Sequence, residues 1–333
     1  MRKLASIRKV SNIEPIENAD LLEVAVIDGW KVVIKKGEYK PNDFCVYCEI
    51  DSLLPIKEEY EFLRKSSYVK LPDETEGFRI KTIRLRGQIS QGLVLPITIL
   101  KDIEIVEGLD VTEHLGITKY EQPIPLDLAG KVKGGFPSFL RKTDEERIQN
   151  LTSEFNEWKS GNNKFYATEK LDGSSATFYY YNNEFGVCSR NLDLLETENN
   201  SFWNAARTLD LEKKLSELNR NICIQGELIG PGVNKNIYKL PKLTVMFFNA
   251  FDIDKQERLP LFEFLELINS LNLEVVPIFQ NFDLPDSIDS LLKIADGKSQ
   301  LNSNTDREGI VIRSYDMQIS FKVISNKFLL NEK

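Results

Sequence analysis

Glu169-Lys170-Leu171-Asp172-Gly173-Ser174-Ser175 lies between two apolar runs, residues 165–170 and 175–181, and the rest of the chain is read outward from it. The flanking runs are rich in aromatic and β-branched residues. They predict two strands joined by a tight Asp-Gly turn, with Lys170 at the end of the first. Lysine is a nucleophile only when neutral. Its ordinary pKa is ~10.4, so a useful neutral fraction near physiological pH needs a drop of ~2–3 units, roughly 3–4 kcal/mol. Partial burial and a nearby divalent cation both disfavour the ammonium form. Asp172, Glu227 and Glu308 are the acids expected to hold such a cation, Mg²⁺ or Mn²⁺, through water more than directly.

Further motifs follow in order. Ser189-Arg190-Asn191 closes the next strand. Then come Gly226-Glu227-Leu228-Ile229-Gly230-Pro231-Gly232, Phe251-Asp252-Ile253, Arg307-Glu308-Gly309-Ile310-Val311-Ile312-Arg313, and Ser320-Phe321-Lys322-Val323-Ile324-Ser325-Asn326-Lys327. Singly each is weak. Together, over nearly all of residues 137–330, they resemble the six ordered motifs of the RNA ligase branch of covalent nucleotidyltransferases. The layout is most similar to ATP-dependent RNA ligases of the Deinococcus and Naegleria type, which carry an OB domain in front of the transferase domain. Phe136-Pro137-Ser138 and the stretch from Lys142 to Asn150 also resemble that group.

The resemblance implies roles. Lys170 attacks the α-phosphate of ATP, with Asp172, Glu227, Glu308 and Lys322 completing the catalytic set. Glu169, Lys170, Arg190, Glu227, Phe251, Val311, Lys322 and Arg147 bind the nucleotide. Glu227 contacts the ribose. Phe251 and Val311 sandwich the purine. Arg190, Lys322 and Arg147 meet phosphates. The expected partners are RNA ends or a nicked duplex with 3′-OH and 5′-phosphate, sealed through lysyl-AMP and an AMP-capped 5′ end, by a monomer. The chain departs from the pattern at Ile324, where related ligases often have a second lysine; Lys327, Lys142 or Arg147 is expected to substitute for it. DNA ligases and GTP-dependent capping enzymes, the alternative enzyme reading, usually place the OB domain behind and carry Arg where this chain has Ser175. A non-catalytic OB-fold nucleic-acid-binding protein is the alternative from another class.

Upstream the chain reads as all-β. Leu22, Val24 and Val26 alternate with smaller or polar residues, Asp28-Gly29 turns, and Trp30–Ile34 returns, the signature of a hairpin. Further strands are expected at 44–50, and as a pair at 78–85 and 92–95. Short strands at this spacing suggest a small barrel. Ile13 to Leu21 and this hairpin resemble the opening of tRNA-binding OB modules. Arg79, Lys81, Arg84 and Arg86, with no acid among them, form the candidate strand-binding face. The expected domains are an OB-fold at 1–120, a Pro/Gly-punctuated linker at 121–136 and an adenylyltransferase domain at 137–333. That last domain is predicted as α+β with mostly antiparallel sheets. Its strands are expected at 165–170, 175–181, 185–190, 222–229, 243–253, 308–314 and 318–324. Helices are expected at 144–158, 201–218, 260–271 and 286–295.

Composition excludes several rivals. The 333 residues suggest about two domains, and 41% hydrophobic with 28% charged residues is an ordinary globular mix. No apolar run nears the ~20 residues of a membrane helix, and the first nine residues are too charged for a signal peptide, so an intracellular, cytoplasmic protein is expected. His114 is the single histidine. It cannot build a multi-histidine zinc site, and it sits in an unremarkable stretch for a catalytic triad. Cys45 and Cys48 have CxxC spacing but lie on a predicted strand, which turns them to opposite faces. With Cys188 and Cys223 they are expected to be reduced. A net charge of −8 argues weakly against nucleic acid as an average, but leaves room for a local basic surface.

Overall fold

The computed structural model describes residues 3–17, 19–71, 74–120, 131–280 and 282–331. The chain divides into two compact units, residues 1–125 and 126–333.

The first unit is built of short antiparallel strands. The predicted hairpin is present as Leu22–Ile27 and Trp30–Lys35, with Asp28 in the left-handed region at φ 50°. Asn12–Pro15 extends it to three strands. Phe44–Cys48 pairs with Ala5–Lys9 on one side and Leu93–Pro96 on the other. The expected pairing of 78–85 with 92–95 is corrected. Glu76–Arg79 and Thr82–Leu85 are separate strands; the first joins Ser52–Leu54 and Tyr68–Lys70, and the second forms its own hairpin with Gln88–Gln91. The turn is Arg86-Gly87, both at positive φ. All four cysteines are buried and free, and His114 lies on the short helix Thr112–Leu115.

The second unit packs two sheets. The larger has seven strands in the order Val132–Gly135, Leu192–Leu194, Glu184–Cys188, Ser174–Tyr181, Ile222–Ile229, Thr244–Asp252 and Glu257–Arg258. One face is sealed by helices around Phe178, Phe247, Ile224 and Leu215. The smaller sheet runs Glu146–Arg147, Ser320–Ile324, Gly309–Ser314, Phe165–Lys170. Its back is covered by Thr152–Ser160 and Ile288–Ala295, which pack on Ile148, Ala167, Ile310, Ile312, Phe321 and Val323.

Two devices join the sheets. The segment from Glu274 to Phe279 bonds both, through Val276 N–H to Phe247 O and Phe279 N–H to Ala167 O, each 2.9 Å. Glu145 bridges Arg313 of the smaller sheet at 3.2 Å and Arg258 of the larger at 3.5 Å. Burial pushes the Glu145 carboxyl up, but the two guanidinium groups outweigh it and hold the group below its usual range.

The expected helix 144–158 is only partly present. Glu146–Arg147 is a strand parallel to Phe321–Lys322, and the helix begins at Thr152. Burial of Ile148 in the core, together with that pairing, overrides the helical pattern of the segment. The 201–218 helix is broken at Asp210, φ 53°, into Ser201–Thr208 and Leu211–Ser216. Residues 121–130 of the expected linker lie outside the described residues, and Val132–Gly135 is a strand.

Candidate active site

Strand alternation decides which side chains share the space between the sheets. On the smaller sheet one row reads Lys170, Gly309, Ile324, and the next reads Thr168, Val311, Lys322, Arg147. Residues two apart on a strand share a face, so Lys170, Val311, Lys322 and Arg147 stand on one side. On the larger sheet Ser175, Glu227 and Met246 form a row, followed by Thr177, Gln225 and Asn249.

At the head of these rows Lys170 Nζ donates to Glu308 Oε1 at 2.6 Å. Their side chains are 27% and 17% exposed, accessible enough for a substrate yet poorly solvated. Burial alone pushes the Lys170 ammonium down. Glu308, Glu227 and Asp172 outweigh it and hold the pKa above the ordinary lysine value. Glu227 responds oppositely: burial pushes its carboxyl up to about 8, with Glu308 and Asp172 adding to the rise and Lys170 opposing it. That is the direction in the cation-free site, whereas the expected lowering relied on a bound cation as well as on burial. Three carboxylates surround one ammonium, and the excess negative charge fits a divalent cation. Among the described residues no three acids, histidines or cysteines stand close enough to ligate one ion directly. A cation bound there keeps water between itself and part of the set.

The Asp172-Gly173 turn is gripped from outside the motif. Asn234 Nδ2 donates to Asp172 Oδ1 at 2.6 Å and to Gly173 O at 3.2 Å, while Tyr238 Oη accepts from the Asp172 N–H at 2.5 Å. Gly173 leaves no room for a side chain, since a Cβ would come within 2.4 Å of Leu228 O and 2.8 Å of Glu227 Cγ. Ser175 shares a hydrogen bond with Thr143 at 2.8 Å.

The remaining expected residues differ in burial and in partners. Glu169 is on the opposite face of its strand from Lys170. It is 1% exposed and accepts from Gln300 N–H at 2.7 Å. Phe251 shares a face with Glu227 but is 1% exposed, enclosed in a cluster with Leu140, Tyr179 and Cys223 that Phe139 packs against. Its ring has no open face for a purine. The aromatic turned toward the smaller sheet is Phe248, which sits at the irregularity opposite Gln225/Gly226, with the Arg313 guanidinium 5.6 Å from its centroid. Val311 is 8% exposed. Arg190 is paired with Asp144 at 2.6 Å. Lys142 bonds Asn191 Oδ1 at 3.0 Å, and Lys327 takes its place beside Asp296.

A family model described as OB-fold domain matches residues 4–97, and one described as RNA ligase matches residues 163–325. The structure of a Naegleria gruberi RNA ligase mutant with AMP and Mn is 43% identical, covers 98% of each chain and superposes with TM-score 0.92. This chain belongs to the RNA ligase family. The N. gruberi RNA ligase with pyrophosphate is also 43% identical, covering 99% of this chain and 98% of that one, TM-score 0.92. A mutant with ATP and Mn is similar at 43% identity, 98% coverage of both chains and TM-score 0.91. A search of curated proteins found no match. In this RNA ligase, no helix among the described residues is long and apolar enough to cross a membrane.

Sequence reasoning missed Asn234, Tyr238 and Phe248. The only signal for the first two was the Gly230-Pro231-Gly232 turn that launches their loop.

Proposed function

We propose that this RNA ligase seals 3′-OH to 5′-phosphate ends at the expense of ATP, through Lys170, at nicks with RNA on the 3′-OH side. The observation that carries the reading is the Lys170–Glu308 contact at 2.6 Å inside the ring of Glu227 and Asp172. Lys170 Nζ attacks the α-phosphorus of ATP. A P–N bond forms, the bond to the β-phosphate oxygen breaks, and pyrophosphate leaves. Glu308 Oε1 is the acceptor nearest the proton that Nζ must lose. Asp172, Glu227 and Glu308 would hold a divalent cation, Mg²⁺ or Mn²⁺, which would supply positive charge to offset the carboxylates and the developing phosphate charge. Lys322 and Arg147, side by side on the same sheet face, meet the phosphates.

A 5′-phosphate oxygen then attacks the same phosphorus. The P–N bond breaks and Lys170 recovers its proton. Finally the 3′-OH attacks the AMP-capped 5′-phosphate, forming the phosphodiester and releasing AMP. Residues 137–333 carry this chemistry in a monomer, and residues 1–120 engage the strands. Their exposed hairpin offers Lys81, Arg84 and Arg86, with Ile83 and Leu85 between them. Arg79 is committed elsewhere, its guanidinium 4.1 Å from the centroid of the Tyr120 ring.

The test is sealing of four nicked duplexes, with RNA or DNA on either side of the nick. A terminal 2′-OH can set sugar pucker and align the attacking oxygen, and misplacement by ~1 Å can cost ~100-fold. Sealing should need RNA on the 3′-OH side and accept DNA on the 5′-phosphate side. Equal sealing of a DNA 3′-OH strand would favour a DNA ligase.

A further inference from the structure

The loop that follows Glu227 is more highly built than a connection requires. It leaves its strand at Gly230, φ 118°, where a Cβ would come within 2.6 Å of Lys242 O. Successive turns bond Val233 N–H to Gly230 O, Asn236 N–H to Val233 O and Lys239 N–H to Asn236 O. The Asn236 side chain closes on Leu240 from both sides, accepting from its N–H and donating to its carbonyl, each 3.1 Å. Asn302 Nδ2 holds the Ile237 carbonyl at 2.9 Å. Val233 and Tyr238 are buried and anchor the loop. At its exposed tip stands Asn234, φ 44°, a left-handed position that asparagine tolerates better than most residues. This scaffold delivers one side-chain amide and one phenol to the Asp172-Gly173 turn. They meet three of its groups: the Asp172 carboxylate, the Asp172 N–H and the Gly173 carbonyl.

We propose that Asn234 is a positioning residue of the active site, with Tyr238 as its support: it fixes the Asp172 carboxylate in the orientation that completes the cation site beside Lys170. The inference rests on the ligase reading above. Asn234 touches no reacting atom and acts only through Asp172. The bond to Oδ1 at 2.6 Å uses that lone-pair direction and restrains rotation of the carboxylate. Partners that orient a metal-binding group in this way typically contribute 10–100-fold to metal affinity or activity. Asn234 is exposed, so its loss costs little packing.

The substitution that isolates this role is Asn234→Gly, which keeps the left-handed backbone at no steric cost and deletes only the amide. Asn234→Asp is nearly isosteric but sets a second carboxylate against Asp172. Lys239→Gly, at φ 55° in the same loop, controls for loosening of the loop. Each is made in a Lys170→Ala background, where no turnover occurs, and ATP affinity is measured by calorimetry with Mn²⁺ and with EDTA. Asn234→Gly should weaken ATP binding about tenfold with Mn²⁺ and leave it unchanged in EDTA. Asn234→Asp should weaken it at least as much, Lys239→Gly should match the parent, and all should melt alike. In the Lys170 enzyme, Asn234→Gly should raise the Mn²⁺ concentration for half-maximal adenylylation by a similar factor. Equal Mn²⁺-dependent affinity in Asn234→Gly and the parent overturns the proposal, as does an equal loss with EDTA. Absence of Mn²⁺-dependent ATP binding by Lys170→Ala itself contradicts the ligase reading, and the inference falls with it.

Discussion

Replacing Glu308 by Gln should move two properties of Lys170 in opposite directions. The substitution keeps the size and an acceptor oxygen but removes the charge 2.6 Å from Nζ. An opposite charge this close typically shifts a pKa by about 1–3 units. The two side chains are 27% and 17% exposed, so solvent screens part of that, and Glu227 and Asp172 still act on the ammonium. The Lys170 pKa is therefore expected to fall in the variant, which raises the fraction of neutral amine at any pH below both values. Trace acetylation in EDTA, read by mass spectrometry against exposed Lys65, should therefore label Lys170 faster in the variant. With ATP and Mg²⁺ the same variant should form lysyl-AMP more slowly, because a cation ligand and the proton acceptor are both removed. Unchanged or slower acetylation would refute the claim that Glu308 holds the lysine protonated. Faster adenylylation would refute its place in the cation site.

Glu227, with its pKa pushed from 4.5 up to about 8, makes the cation-free protein lose stability as pH rises. The folded state binds this proton more tightly than the unfolded chain. Its contribution is therefore full below about 4.5 and is lost on approaching 8, with a slope of at most about 1.4 kcal/mol per pH unit. Denaturant unfolding between pH 5 and 8.5 in EDTA should give a flatter profile for Glu227→Gln, and parallel profiles would contradict the assignment. In the first unit, changing Lys81, Arg84 and Arg86 together to Ala should weaken nicked-RNA binding and lower its salt slope by roughly 2–3, at about 0.9 for each phosphate no longer neutralised. Adenylylation of Lys170 should survive. Loss of adenylylation with RNA affinity intact would reverse that division of labour.

Much of the transferase unit was legible because its strands are apolar runs with clear ends: 165–170 and 222–229 coincide with observed strands, and the other five differ by a few residues. What was not legible is mostly non-local. Residues 144–158 have a helical pattern, but Glu146 and Arg147 are drawn into a strand by Phe321 and Lys322, far along the chain. The hairpin at 82–91 was missed because Arg86-Gly87 is a less obvious turn than Asp28-Gly29. The motif presents Glu169 and Lys170 together, but neighbours on a strand turn their side chains to opposite faces. Phe251 was read as a stacking ring from its motif, while the packing of Phe139, Leu140 and Tyr179 around it leaves no open face. The Asn234–Asp172 bond spans 62 residues, and no local pattern encodes it.

The central claim is that Lys170 forms a covalent bond to AMP. Intact-mass analysis after incubation with ATP and Mg²⁺ measures it directly, with peptide mapping to locate the adduct. One AMP should be added per chain, on Lys170, with none on Lys170→Ala and none from GTP. An AMP adduct of equal yield on Lys170→Ala, or none on the wild-type protein, would contradict the account.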